Sequence, residues 1–258
     1  METTQFHGKR LAHASAPGDV VSLARVHKVY GSGLSGVHAL HDIDLQVGSG
    51  EMVAVCGPGG SGKTTLLQIA GMLDTATEGN VVAASLLVAR LSEQARADLR
   101  AEMIGFVFQF PNLLPFLTAR ENVLLPLMLR GCIRHGGHGA AHERADALLA
   151  QLGLATQARY DAARLDPGQC QRVAIARALI TRPRLVVADE PVSRLDGGSL
   201  RLVMDLFARQ QREHGTAFLI STRDQRQLTG ANRCLQLRDG RLDGPDGVDA
   251  GRALRVRP

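Results

Sequence analysis

The sequence predicts an α/β fold built on a mostly parallel sheet, and three observations lead to this class. Short apolar runs typical of buried strands alternate with helical patterns over residues 52–221. One of these runs, Met52–Cys56, is followed at once by a glycine-rich loop and a helix. Another run, Leu185–Ala188, ends directly in two carboxylic acids. Strands that alternate with helices in this way are typical of parallel sheets with helical crossovers.

Each predicted strand combines apolar or alternating side chains with turn residues at its ends. In chain order the strands are Val20–Tyr30, Val37–Val47, Met52–Cys56, Leu185–Ala188 and Ala217–Ser221, followed by a hairpin over Cys234–Leu242 that turns at Asp239-Gly240. The first two strands flank a glycine and serine turn at residues 31–36, which favours an antiparallel pair.

Helices are predicted from apolar periodicity and, in several cases, from a capping residue at the start or a glycine or proline at the end. In chain order the helices are Lys63–Leu73, Ser92–Glu102 with Ser92 as N-cap, a helix that begins at a capping box of Thr118 and Glu121, Glu143–Gly153, Gln169–Thr181 and Ser199–Glu213.

The composition is that of a globular protein and excludes wholesale disorder, because 45% of the 258 residues are hydrophobic and 21% are charged. Thirty basic residues against 25 acidic ones give a net charge of +5. This charge leaves open a nucleic-acid partner, an anionic membrane surface or simply a mildly basic surface. Since aromatic residues make up 3% of the chain and tryptophan is absent, the stacking surfaces of single-strand binders are not expected.

No apolar run approaches the roughly 20 residues that a membrane-spanning helix needs. The best stretches, Val81–Ala89 and Val123–Leu129, are much shorter. The start of the chain has no apolar segment of the secretory kind. We therefore expect neither a membrane-spanning helix nor a secretory signal in this chain.

The ends of the chain, residues 1–19 and 244–258, are polar or rich in glycine and proline, and we expect disordered tails there. Residues 131–139 are rich in glycine and are predicted to form a surface loop. The cysteines are widely spaced and form no metal-binding pattern, so we expect reduced core thiols as in cytosolic proteins. They are Cys56, Cys132, Cys170 and Cys234.

The glycine-rich loop fits a phosphate-binding motif. It consists of Gly57, Pro58, Gly59, Gly60, Ser61, Gly62, Lys63, Thr64 and Thr65. Its glycines let consecutive backbone N–H groups converge on phosphate oxygens, and the following helix points its N-terminus at the same anion. Lys63 is expected to reach the β- and γ-phosphates, and the Thr64 hydroxyl suits Mg²⁺. The alternative is an ordinary glycine-rich turn, which the flanking strand and helix disfavour.

Asp189 and Glu190 follow the last buried residues of an apolar strand, so their carboxylates are expected at the C-terminal edge of the sheet. Ligands bind at this edge in open α/β sheets. Asp189 is suited to hold Mg²⁺ through water, and Glu190 to polarise an attacking water. Two acids at a strand end are, by themselves, equally compatible with simple solvation, and the phosphate-binding loop favours the functional interpretation.

The order and spacing of these motifs resemble the nucleotide-binding subunit of ATP-binding cassette (ABC) transporters, over about residues 20–243. The glycine-rich loop resembles the Walker A motif of that family, and Leu185–Glu190 resembles its Walker B motif. Ser193–Asp196 resembles the D-loop, and Gln171–Leu179 the helix after the signature motif. The resemblance implies a P-loop NTPase core with an N-terminal antiparallel β-subdomain and a helical subdomain at about residues 92–180.

The resemblance also implies roles for residues outside the two Walker motifs. Tyr30 matches the aromatic residue that stacks on adenine, although it could equally be a strand residue beside a turn. Gln109 matches the Q-loop glutamine, which implies contact with Mg²⁺ and the reacting phosphate, although it could be a surface amide. Glu190, Lys63 and Gln109 are thus the implied catalytic residues.

Residues 112–123 resemble one subgroup of the family, the lipoprotein-release and macrolide-export ATPases. The segment includes Asn112-Leu113-Leu114-Pro115 and then Leu117–Val123. In that subgroup ATP is thought to drive movement outside the cytoplasm through the membrane partner. We expect the groove near Gln109 to Leu117 to receive the coupling helix of the permease.

The signature motif departs from the family pattern of Leu-Ser-Gly-Gly-Gln, because this chain has Leu165-Asp166-Pro167-Gly168-Gln169. In the family dimer this segment of one subunit closes over the γ-phosphate held by the other. Asp166 can only accept hydrogen bonds when ionised, and Pro167 has no N–H to donate. The same pair is a strong helix start, with Asp166 as N-cap and Pro167 at the first position. The sequence therefore predicts an intact helix with an altered contact to phosphate.

The switch position departs as well, since Ser221-Thr222-Arg223-Asp224 stands where the family usually has a histidine before the aspartate. Arg223 is always charged and cannot shuttle a proton near neutral pH. It could contact the γ-phosphate as an arginine finger does, or it could point into solvent.

The first hypothesis is an ATPase subunit that binds ATP and Mg²⁺ on the cytoplasmic face of the inner or plasma membrane and drives a permease. It would act as a homodimer or heterodimer, and its turnover would be reduced by Asp166, Pro167 and Arg223. The second is a catalytically impaired regulatory subunit of an ABC complex. The third, prompted by the charge, is a P-loop protein acting on nucleic acid, which the permease-facing motifs disfavour.

Overall fold

The structure is a computed structural model and describes residues 18–31, 36–132, 139–228 and 230–243. Within these ranges the chain forms ten strands and six α-helices. The strands are β1 (Asp19–Tyr30), β2 (Val37–Gly48), β3 (Met52–Cys56), β4 (Glu78–Ala83), β5 (Leu86–Leu87), β6 (Ile104–Val107), β7 (Leu185–Asp189), β8 (Ala217–Thr222), β9 (Arg233–Arg238) and β10 (Arg241–Asp243). The helices are α1 (Lys63–Ala70), α2 (Glu93–Met103), α3 (Ala119–Leu129), α4 (Ala140–Gln151), α5 (Pro167–Leu179) and α6 (Gly197–His214).

The larger sheet has the strand order β10-β9-β3-β8-β7-β6, and all its pairs are parallel except the β9–β10 hairpin. This confirms the predicted α/β class. All five residues of β3 are buried. Met52, Ala54 and Cys56 face one hydrophobic core, whereas Val53 and Val55 face the other. The alternation explains the uninterrupted apolar run, because a strand covered on both faces has no solvent-facing side.

The smaller sheet is antiparallel and has the order β2-β1-β4-β5. Its long β1–β2 pair confirms the N-terminal antiparallel subdomain and the two strands predicted there. The sequence analysis did not predict β4 and β5. The reason is their weak pattern, since in β4 only Val81 and Ala83 are buried and its first three residues are exposed. Strand pairing with β1, rather than local sequence, stabilises this segment.

A helical region of α3, α4 and α5 packs together beside the larger sheet. The predicted capping box is present, since Thr118 N–H donates to Glu121 Oε2 over 2.8 Å and Glu121 N–H donates back to the Thr118 hydroxyl over 3.2 Å. Residues 92–180, which the resemblance assigns to the helical subdomain, also contain β6, and β6 pairs with β7 in the larger sheet.

Several helix boundaries differ from the prediction by two or three residues. Helix α1 ends at Ala70 instead of Leu73, because Gly71 closes it by donating to Leu67 O over 2.8 Å and Met72 then adopts a φ of 58°. Helix α5 begins at Pro167, with Asp166 as its N-cap as the signature residues predicted, and so starts two residues before the Gln169 that the helical pattern gave.

The predicted tails lie mostly outside the described residues, as does most of the glycine-rich loop at 131–139. Gly18 is already in a turn and Asp19 pairs with Gly48 at the start of β1. Among the described residues, no helix is both long enough and apolar enough to cross a membrane.

Candidate functional site

The phosphate-binding loop joins β3 to α1 at the C-terminal edge of the larger sheet. Gly62 is the N-cap of α1 and has a left-handed backbone with φ 99°. A Cβ at this position would stand 2.5 Å from the carbonyl oxygen of Ala39. Only glycine satisfies both conditions, so the loop can wind tightly into the first turn of the helix.

Lys63 lies at the centre of this loop and is only 6% exposed. Its Nζ donates to the carbonyl oxygens of Gly57 and Pro58, each over 2.7 Å. Burial lowers the pKa of the lysine, an effect that the nearby carboxylate of Glu190 opposes. The loop is thus wrapped around one ammonium group, which its own carbonyl oxygens hold beside the N-terminus of α1.

Asp189 is the last residue of β7, and each of its carboxylate oxygens accepts a hydrogen bond from a hydroxyl group. The Thr64 hydroxyl donates to Oδ2 over 2.7 Å, and the Ser221 hydroxyl donates to Oδ1 over 2.5 Å. Ser221 is in register with Asp189 across the β7–β8 pair. The arrangement brings a threonine hydroxyl and a carboxylate together beside the loop, and hard oxygen ligands of this kind suit Mg²⁺.

Glu190 follows Asp189 and has a strained backbone for a non-glycine residue, with φ 46°. Its N–H donates to the Ser221 hydroxyl over 2.9 Å, which fixes the turn. Its Oε1 accepts from Arg223 Nε over 2.6 Å. The Glu190 side chain is 10% exposed and that of Arg223 is 62% exposed, so a nearly buried carboxylate is paired with a guanidinium at the surface.

Tyr30 lies at the end of β1 and is 40% exposed. Its hydroxyl donates to Asp74 Oδ2 over 2.8 Å, and Lys28 Nζ stands 4.7 Å from the ring centroid. Burial and the hydrogen bond with Asp74 raise the pKa of Tyr30, whereas a hydrogen bond with Thr65 lowers it. That bond places the ring next to the phosphate-binding loop.

Gln109 is half-buried and lies two residues beyond the end of β6, at the same edge of the sheet. The segment around it is tied to α5, because Arg177 donates to the carbonyl oxygens of Asn112 over 2.9 Å and Pro111 over 2.6 Å. Burial lowers the pKa of this arginine. These bonds hold the segment beside a surface groove, which residues 111–113 line together with Pro167 and Arg194.

The altered signature forms the predicted helix start. Asp166 is the N-cap of α5 and Pro167 occupies its first position. The Asp166 carboxylate accepts from Gln169 N–H over 2.7 Å, and the Gln169 side chain accepts from Asp166 N–H over 3.1 Å. The substitution therefore stabilises the helix locally, as a capping box does.

The sequence profile described as "ABC transporter" matches residues 40–193. The chain belongs to the ABC transporter family. It is 45% identical over 224 residues to the lipoprotein-releasing system ATP-binding protein LolD 1 of Caulobacter vibrioides, covering 87% of this chain and 94% of that protein. It is 41% identical over 229 residues to the corresponding LolD protein of Bordetella pertussis, covering 89% and 97%.

The fold is also that of a solved ATP-binding cassette. A dimeric cassette in a post-hydrolysis state, bound to ADP and phosphate, has a TM-score of 0.81 and 35% identity, covering 92% of this chain and 99% of that one. The chain is accordingly an ATP-binding ATPase subunit that works as a dimer of such subunits with a membrane permease. The family match favours this hypothesis over the nucleic-acid protein and lends no support to an impaired regulatory subunit.

In this ATP-binding subunit the fold brings most of the predicted site residues to one sheet edge. Lys63, Thr64, Asp189 and Glu190 lie together there, with Arg223 in direct contact with Glu190. Tyr30 borders them across the loop, and Gln109 lies at the next strand along the edge. The residues predicted from the two Walker motifs are therefore neighbours in space.

Ser221 was missed as a site residue, although it holds both Asp189 and the backbone of Glu190. A signal was present, because a small hydroxyl residue ends the apolar strand that follows the two acids in the chain. Recognising it required the β7–β8 register. Lys28 and Asp74 were also missed; Lys28 donates to Asp74 Oδ1 over 2.7 Å and the pair holds the Tyr30 hydroxyl.

Proposed function

We propose that this subunit binds ATP·Mg²⁺ through the residues assembled at the edge of the larger sheet and uses hydrolysis to drive a permease that releases lipid-anchored proteins. The observation that supports the proposal is the contact between the phosphate-binding loop and Asp189, the acid of the Walker B motif. Thr64 and Asp189, which stand 125 residues apart in the chain, are in direct contact over 2.7 Å. This contact creates one site from two distant motifs.

Lys63 and the loop bind the phosphates of the nucleotide. The ammonium lies within reach of the loop's own carbonyls and can turn to the β- and γ-phosphate oxygens, while the N–H groups from Gly59 to Thr65 and the N-terminus of α1 supply the remaining donors. Tyr30 offers an exposed ring beside Thr65 for the adenine base. The triphosphate would then lie between the loop and the acids.

The residues present fit Mg²⁺. Thr64 and Asp189 supply a hydroxyl and a carboxylate at one point, and Gln109 supplies a further amide oxygen from the neighbouring strand end. Since Mg²⁺ usually keeps several water and phosphate ligands, two or three protein oxygens suffice. Bound there, the ion would neutralise charge on the phosphate oxygens. Ser221 fixes the orientation of the carboxylate by its bond to Oδ1.

Glu190 is the proposed general base for the attacking water. The strained backbone and the Ser221 bond direct its carboxylate from the end of β7 toward the loop. A carboxylate in this place can accept the proton of water as the water approaches the γ-phosphate in line. Arg223 donates a charge-assisted hydrogen bond to this carboxylate, which makes the carboxylate a weaker base for the water.

The choice of lipid-anchored proteins as substrate rests on the relatives. Two proteins that are 45% and 41% identical to this chain are named as lipoprotein-releasing ATP-binding proteins. The groove lined by Pro111, Asn112, Leu113 and Pro115 lies in the segment that follows Gln109, and it offers a place for the permease to dock. In this proposal the subunit is peripheral, on the cytoplasmic face of the membrane.

The proposal is tested by reconstituting the subunit with its permease in liposomes that display a fluorescent acylated lipoprotein. We expect ATP-dependent release of the lipoprotein, and none with the Lys63→Ala subunit. The matched control is the same protein without its acyl chains, which should not stimulate ATP hydrolysis. Export of a macrolide in place of lipoprotein release would contradict the proposed substrate, and release that continues with Lys63→Ala would contradict the ATP site.

A further inference from the structure

Two cysteine thiols meet beneath the phosphate-binding loop. The sulfur atoms of Cys56 and Cys234 lie 2.8 Å apart. Cys56 ends β3, immediately before the loop, and Cys234 lies in the neighbouring strand β9. Cys56 is 3% exposed, whereas Cys234 is half-buried. Neither thiol has a part in the binding or hydrolysis of ATP described above.

The separation of the two sulfurs is already close to bonding distance. A disulfide bond is about 2.05 Å long, so the sulfurs need to approach by less than about 1 Å. The β3–β9 register pairs Cys56 with Gln236 and Ala54 with Cys234, and side chains two residues apart on a strand share a face. Both thiols therefore project to the same side of the sheet, toward the same hydrophobic core.

The two thiols are chemically different. The hydrogen bond from Cys56 lowers the pKa of Cys234, against the opposing effect of burial. The same hydrogen bond, together with burial, raises the pKa of Cys56. Because the thiolate is the nucleophilic form, Cys234 is the thiol that reacts first, and it is also the more exposed. Cys56 is then in place as the resolving thiol.

We infer that Cys56 and Cys234 form a site of reversible oxidation by peroxides, and that the oxidised subunit binds ATP less tightly. The Cys234 thiolate attacks one peroxide oxygen and the O–O bond breaks, giving a sulfenic acid and water after protonation. The Cys56 sulfur then attacks the Cys234 sulfur, forms the disulfide and expels a second water. The two sulfurs together lose two electrons to the peroxide, and a reducing thiol restores them by exchange.

The oxidised pair would act on the nucleotide through the loop that follows Cys56. Diagonal neighbours in a sheet stand about 7 Å or more apart at Cα, beyond the usual span of a disulfide, so bonding shifts the strands. Gly57 has no room for such a shift, since even a Cβ there would stand 2.2 Å from the Leu237 carbonyl oxygen. The Gly57 carbonyl also accepts from Lys63 over 2.7 Å. Displacing this carbonyl therefore disturbs the lysine that binds phosphate.

The experiment uses the full-length subunit with Cys132→Ser, because Cys132 is exposed and would otherwise link separate molecules. The protein is treated with hydrogen peroxide, alkylated and mapped by mass spectrometry, and its ATP affinity is measured before oxidation, after it and after dithiothreitol. Cys234→Ser is the test variant. Cys170→Ser is the matched control, since Cys170 is another half-buried thiol. The hydrogen-bond partners of its sulfur are the backbone oxygens of Ala162 and Leu165, and not a second thiol.

We expect a Cys56–Cys234 linked peptide and about tenfold weaker ATP binding, both reversed by dithiothreitol. The Cys170→Ser control should behave in the same way, whereas Cys234→Ser should keep its affinity in peroxide. The inference is overturned if no linked peptide forms, if it forms without loss of affinity, or if Cys234→Ser is equally inhibited. Normal ATP binding by the reduced subunit in each of these cases would leave the proposed function standing.

Discussion

Gly57 supports the sharpest prediction about the phosphate-binding loop. A Cβ at this position would lie 2.2 Å from the Leu237 carbonyl oxygen in β9 and 2.8 Å from the Ser61 hydroxyl. Ordinary contact requires the carbonyl to retreat by about 1 Å, but β3 and β9 are joined by backbone hydrogen bonds at this point. Overpacking of this kind typically costs 1–3 kcal/mol, and a weakened ladder bond adds to it.

We therefore expect Gly57→Ala to lower the free energy of unfolding by about 3 kcal/mol, which is a fall of roughly 6 to 12 °C in Tm for a domain of this size. ATP affinity should fall as well, because the Gly57 carbonyl and Lys63 move together. The matched control is Gly59→Ala in the same loop, since nothing lies within 4 Å of a Cβ there. We expect its stability to stay within about 1 kcal/mol of the parent.

Thermal and urea unfolding of the two variants without nucleotide, followed by ATP titration, provide the measurement. Equal unfolding midpoints for Gly57→Ala and Gly59→Ala would refute this prediction, because the close contact of the Gly57 position with β9 would then not affect stability. If Gly57→Ala is destabilised but binds ATP normally, the close packing against β9 is supported, and the expected effect of the Gly57 carbonyl on Lys63 is refuted.

Three further substitutions have expected outcomes. Asn122→Ala should lower the free energy of unfolding in urea by about 3 kcal/mol, because the change leaves buried backbone groups without partners. The amide of this fully buried residue donates to the carbonyl oxygens of Leu114, Leu117 and Thr118 and accepts from Leu114 N–H. An unchanged unfolding midpoint would contradict this prediction. Ser221→Ala should reduce kcat about tenfold in a phosphate-release assay and weaken Mg²⁺ activation, since it frees both Asp189 and the Glu190 backbone; full activity at low Mg²⁺ would argue against that role. Arg223→His should raise kcat about tenfold, because it removes a charge-assisted hydrogen bond from the proposed base; a loss of activity would instead indicate that the arginine is needed at the γ-phosphate.

Local signals in the sequence predicted the parts of the site that are built from contiguous residues. The loop from Gly57 to Thr65 needs only its own glycines, one strand and one helix. The start of α5 followed from Asp166 and Pro167 alone, because capping depends on neighbours in the chain. The same holds for the capping box at Thr118.

Contacts between distant residues could not be predicted in this way. Ser221 meets Asp189 only because β8 pairs with β7 in one particular register. Cys56 and Cys234 stand 178 residues apart, and their spacing in the sequence suggested only two separate core thiols. Arg223 was expected either at the phosphate or in solvent, and its pairing with Glu190 depends on how β8 ends beside β7. Each case requires the order and register of the strands, which single-sequence patterns do not contain.

In our proposal the site at the edge of the larger sheet hydrolyses ATP, and Glu190 is its general base. Phosphate release by the subunit assembled with its permease, compared between the parent and Glu190→Gln, tests this most directly. We predict that Glu190→Gln binds ATP with nearly unchanged affinity and hydrolyses it at least about 100-fold more slowly, since the amide cannot accept the proton of water. Equal rates of hydrolysis in the two proteins, with ATP bound to both, would contradict the claim.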